Sequence, residues 1–110
     1  MPGSSTIARG NILLAGIYQT TLSPASVANA TTAEQTFTVN GLLVGDLVSV
    51  TKPTTQAGLG IVNSRVSAAN TLAICFANTT AATITPTSSE VYVIELNRCE
   101  NGSPFPTSVV

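Results

Sequence analysis

The sequence has no histidine and no tryptophan, and it carries only four Lys or Arg and five Asp or Glu residues. Each shortage removes a class of function. Without histidine, acid–base work near neutral pH falls to perturbed carboxylates, and Glu34, Asp46, Glu90, Glu95 and Glu100 stand singly rather than in pairs. Serine and threonine are plentiful, but a hydroxyl nucleophile needs a neighbouring base, and only Arg9, Lys52, Arg65 and Arg98 are on offer. Those four cations are scattered, with no patch or stripe of the kind that neutralises phosphates. The sequence therefore predicts no enzyme, no cofactor and no nucleic-acid partner. No apolar run approaches the roughly 18 residues of a membrane span, so no membrane partner is expected either. The opening MPGSSTIARG lacks the charged-then-apolar order of an export signal. Only two cysteines are present, and with no histidine they form no metal-ligand spacing. Cys75 lies in the apolar run 72–77, which predicts a buried, unreactive thiol, whereas Cys99, between Arg98 and Glu100, should be more accessible. A disulfide between them is possible but not favoured where cytosolic assembly keeps thiols reduced. The three Asn-X-Ser/Thr triplets at Asn29, Asn78 and Asn101 read as chance matches in a Thr-rich chain.

What is present is apolar and hydroxyl-rich. The chain is 44% hydrophobic but only 8% charged, against roughly 25% charged in ordinary soluble domains. A surface this weakly charged offers little colloidal repulsion, which suits a protein that lives against other protein surfaces. Its 110 residues make one domain.

The segment from Glu34 to Pro53 sets the pattern for the rest. Phe37 and Val39 alternate with Thr36, Thr38 and Asn40, and Val48 and Val50 alternate with Leu47, Ser49 and Thr51. Alternation bounded by Gly, Asn, Asp and Pro is the signature of half-buried strands. The link from Asn40 to Asp46 is too long for a two-residue hairpin, so two hairpin-like pieces or a crossover between sheets fit better. Further strands are predicted at Asn11–Thr21, with Gly16 a possible bulge, and at Gly60–Ser67, where Val62, Ser64 and Val66 share a side. Thr71–Asn78 should place Leu72, Ile74 and Phe76 on one face, with Ala73, Cys75 and Ala77 turned towards another layer. A short strand is expected at Ala82–Pro86, and a last one at Glu90–Arg98 with Tyr92, Ile94 and Leu96 inward. Both faces of Ile12–Leu14 are apolar, as expected where both sides are covered. About seven short strands with regular turn signals and no helix predict an all-β, single-domain β-sandwich or jelly-roll-like barrel. An N-terminal arm (1–10) and a C-terminal tail (101–110) flank the domain at 11–100.

Four stretches, TTAEQTFTV, GLLVGDLVSVTKP, QAGLGIVNSRVSAANTLAI and ITPTSSEVYVIEL, lie in the run from Ser23 to Arg98. Together they resemble a group of small β-proteins encoded by tailed bacteriophages. The resemblance implies an accessory structural protein of the virion, of the kind that decorates or cements a capsid shell. It would be made in the host bacterial cytoplasm and bound to the major capsid protein; the low charge separately predicts a symmetric homo-oligomer (dimer or trimer). A receptor- or glycan-binding module of a tail or fibre is the alternative. Outside the matched run, Pro104 and Pro106 stiffen the tail while Phe105, Val109 and Val110 are apolar with no strand to join. These five residues are the candidate partner-binding set, since a pre-stiffened segment loses less entropy on docking.

Overall fold

The computed structural model describes residues 10–100 together with Phe105 and Thr107. The expected arm over 1–10 and tail over 101–110 otherwise lie outside the described residues. Within them the chain forms six strands and no helix: β1 (Ile12–Leu22), β2 (Thr31–Thr38), β3 (Leu47–Thr51), β4 (Leu59–Ala68), β5 (Thr71–Asn78) and β6 (Glu90–Cys99). They build two three-stranded antiparallel sheets, ordered β1-β6-β3 and β2-β5-β4.

Local alternation decides which side chains turn inward. Leu72, Ile74 and Phe76 of β5 and Tyr92, Ile94 and Leu96 of β6, the two central strands, are all buried. Phe37, Val39, Val48 and Val50 pack against the same cluster, so the inner faces of both sheets share one core. The link at 40–46 is a crossover carrying the chain from the β2 sheet to the β3 sheet. The two sheets approach each other at β3 and β4, where the Ser64 hydroxyl donates to the Val48 carbonyl at 3.1 Å. The β4–β5 hairpin turns at Ala69-Asn70, with Asn70 in the left-handed region (φ 59°) that asparagine tolerates.

Four expectations are corrected. The strand at Ala82–Pro86 is a single bridge, Ile84 with Val27. Pro86 has no N–H to donate, and the Ala82 carbonyl is taken by the side chain of Asn78, so nothing propagates the ladder; six strands result rather than about seven. In β4 the register shifts between Ile61 and Asn63. This bulge inserts one residue and resets the parity, so Val62 points outward at 59% exposure while Ile61, Ser64 and Val66 face the core. The bulge in β1 lies between Ile12 and Leu14 and not at Gly16; Gly16 instead leaves room for the Tyr18 ring, whose Oη would lie 2.8 Å from an added Cβ. Finally, no second layer among the described residues covers the outer face of β5. The Arg65 guanidinium of β4 meets the Glu34 carboxylate of β2 at 2.8 Å, and the register puts both beside Ala73 and Cys75 of the strand between them. The ion pair arches over these small side chains and accounts for their burial. Cys75 is consequently half-buried on an outer face rather than sealed in the core, and Cys99 is half-buried too.

Candidate interaction surface

The 40–46 crossover is held by charge placed inside it. Gly41 and Gly45 adopt φ of 100° and 99°, closed to most side chains. Between them the chain doubles back: the Asp46 N–H donates to the Leu43 carbonyl at 3.0 Å, and the Leu43 N–H donates to Asp46 Oδ2 at 2.9 Å. Arg98 of β6 reaches under this turn. Its Nε and Nη2 donate to the two Asp46 carboxylate oxygens, each at 2.8 Å, and Nη2 also donates to the Gly41 carbonyl at 2.9 Å. The Asp46 side chain is nearly sealed from solvent and that of Arg98 about one-fifth exposed. Hydrogen bonding from Arg98, opposed by burial and aided by the Leu43 amide, holds the Asp46 carboxyl below its usual value. The opposite end of the turn is stitched to the β4–β5 hairpin, with Asn70 accepting from Val39 and Gly41 and donating to Leu42.

The turn buries Leu42 and pushes Leu43 and Val44 into solvent. Beside them, the outer face of the β1-β6-β3 sheet presents Leu13 and Ile17 from β1, Leu47 from β3, and Val91 and Val93 from β6, all exposed. Leu47 and Ala15 flank Asn97 in one cross-strand row, and Ile17 and Ser49 flank Glu95 in the next. The expectation that both sides of Ile12–Leu14 are covered fails here, because nothing in the chain's described residues lies over Leu13. Phe105, the one described member of the predicted partner-binding set, is 39% exposed. It lines a depression of about 280 Å³ with Leu13, Leu43 and Val44, above Asp46 and Arg98. Pro104, Pro106, Val109 and Val110 lie outside the described residues. The sequence singles out Phe105 as an apolar tail residue with no strand to join, and does not reveal the sheet face that it adjoins. The unpaired apolar positions of β1 and β3 were visible as bare residues, yet only the pairing order shows that they share a surface.

Among the described residues, the three cations are engaged in ion pairs and leave most of this surface uncharged. Arg98 is bound to Asp46, Arg65 to Glu34, and Lys52 to Glu90 at 2.9 Å. The Glu90 carboxyl is held low first by a hydrogen bond from the Thr54 hydroxyl and then by Lys52. Glu95 alone stands within the apolar face.

A second concavity, of about 560 Å³, opens where β1 and β2 do not pair. It is lined by Leu14, Val39 and Leu96 together with Tyr18, Gln19 and Asn40. Elsewhere polar groups are spent on structure. Asn78, buried at the end of β5, donates to the Val27 and Ala82 carbonyls and accepts from the Thr80 amide and hydroxyl, which closes it to glycosylation. Among the described residues no cluster of His, Cys, Asp and Glu has metal-site geometry, and no helix is long and apolar enough to cross a membrane.

The chain matches no protein-family model, and comparison with curated proteins and with solved structures returned no similar protein.

Proposed function

We propose that this chain is a non-enzymatic structural protein of a tailed-bacteriophage virion, which decorates or cements the capsid surface by adhesion to the major capsid protein. The observation that carries the reading is a body whose described cations are all tied up internally and whose exposed apolar residues lie on both sheets, Val62 on the β2-β5-β4 sheet as well as those on the β1-β6-β3 face. Such a surface adheres through apolar and hydroxyl contact rather than through charge steering. The sequence resemblance between Ser23 and Arg98 points the same way. On this reading the two sheets form a small β-sandwich, and Pro104, Phe105, Pro106, Val109 and Val110 add contacts to the shell.

A second reading, a receptor- or glycan-binding module of a tail or fibre, is favoured by the open concavity between β1 and β2, where half-exposed Tyr18 stands beside amide side chains. Copy number separates the two. A quantified gel of purified particles should show the chain in stoichiometric proportion to the capsid protein. A few copies per particle would overturn the cement reading in favour of the tail, and absence from the particle would overturn both.

A further inference from the structure

We infer that the outer face of the β1-β6-β3 sheet, at the end carrying the 40–46 crossover, is the contact surface for a second copy of this chain in a two-fold dimer. Leu13, Ile17, Leu43, Val44 and Leu47 are between 49% and 73% exposed there. At roughly 100 Å² of apolar surface each they make a patch of about 500 Å², near the upper limit for a monomer that keeps such a patch in water. Phe105 and Val93 at the margins extend the face toward the roughly 800 Å² per partner of a standard interface. Two copies of this face therefore bury an area at the small end of that class.

The chemistry of the face fits a copy of itself. A self-complementary interface sets every group against its own kind near the axis, so a strongly charged face is unsuitable and an apolar one is suitable. Glu95 is the single charge within it, and the apolar cluster is off-centre from Glu95. The cluster gathers round the row Ala15–Asn97–Leu47, one row beyond Ile17–Glu95–Ser49. Strands rise about 3.3 Å per residue, so the rows lie roughly 7 Å apart. A two-fold axis lying across the strands at the Leu47 row therefore sets the two Glu95 carboxylates about 13 Å apart along the strands, beyond the Debye length of about 8 Å. The crossover is rigid through Asp46 and Arg98, so Leu43 and Val44 are held out without an ordering cost on docking.

The test uses the purified full-length chain and does not depend on the virion reading. Sedimentation velocity across micromolar concentrations should give a dimer for the natural sequence. Leu47→Glu should raise the dissociation constant by about 100-fold or more with an unchanged circular dichroism spectrum, because the side chain it replaces is already solvated. Val62→Glu is the matched control: Val62 has the same 59% exposure as Leu47 but lies on the other sheet, and its variant should dimerise like the natural chain. A monomer at every concentration overturns the proposal and leaves the face to a different protein. So does a Leu47→Glu variant that dimerises normally, or a Val62→Glu variant that dissociates equally.

Discussion

Replacing Arg98 with methionine isolates the device that shapes the exposed face. Methionine keeps much of the apolar stem and removes the guanidinium, which leaves the Asp46 carboxylate accepting from the Leu43 amide at 2.9 Å. Breaking a fully buried pair costs about 3–5 kcal/mol, and breaking an exposed one about 0–1 kcal/mol. Asp46 is buried, but Arg98 is about one-fifth exposed, so water screens one side of the pair. The expected loss at pH 7 is about 2 kcal/mol, or about 8 °C in Tm for a domain of this size. The sign of the pH dependence is the sharper check. In the natural chain Asp46 has a lowered pKa, so its contribution is present above the unfolded value of 3.8 and is lost as pH falls through the folded value. In the variant, burial outweighs the lone Leu43 amide and the shift reverses. The isolated carboxylate then destabilises the fold at neutral pH, and protonation relieves it. Urea unfolding of both proteins at pH 7 and pH 3 should show the gap shrinking on acidification, to below about 1 kcal/mol. An equal gap at both pH values, or one under about 0.5 kcal/mol at pH 7, would refute the assignment of Asp46 and Arg98 as the bolt of the crossover.

Two further outcomes are expected. Tyr92 is fully buried and its hydroxyl has no hydrogen-bond partner among the described residues; burial first, and the nearby Glu90 charge second, push its pKa up to about 12. Tyr92→Phe should therefore be neutral or stabilising by about 1 kcal/mol in chemical denaturation, and ultraviolet titration of the natural chain should show one phenol ionising only near pH 12. The unfolded phenol ionises from about pH 10, so stability conferred by the neutral ring is lost between those values; a clear destabilisation by Phe would show that the hydroxyl has an essential partner. At the outer face of β5, Arg65→Ala removes the arch over Cys75, and thiol labelling of Cys75 in the native state should become faster while that of Cys99 is unchanged. An unaltered Cys75 rate would show that the Glu34–Arg65 pair does not shield it.

The sequence by itself determined the class of structure and the inward faces of its regular strands. Side chains of an unbroken strand alternate by backbone geometry alone, so Phe37 and Val39, Val48 and Val50, and the triads of β5 and β6 declared their common faces without tertiary information. The tight turn at Asn70 was legible for the same local reason, from turn chemistry, while the length of 40–46 excluded a two-residue hairpin and left the choice between hairpin-like pieces and a crossover to the sheet pairing. Tertiary structure decided everything that depends on one extra residue or on a distant partner. The bulge after Ile61 parts Val62 from Ser64 and Val66, because a period of two has no tolerance for an insertion. The carbonyl of Ala82 is claimed by Asn78 across a loop, which leaves Ile84 as a bridge where alternation promised a strand. Above all, β1 and β3 are far apart in the chain and meet only through β6. Leu13, Ile17 and Leu47 become one exposed face because strand order is set by non-local pairing, which no local pattern in the chain encodes.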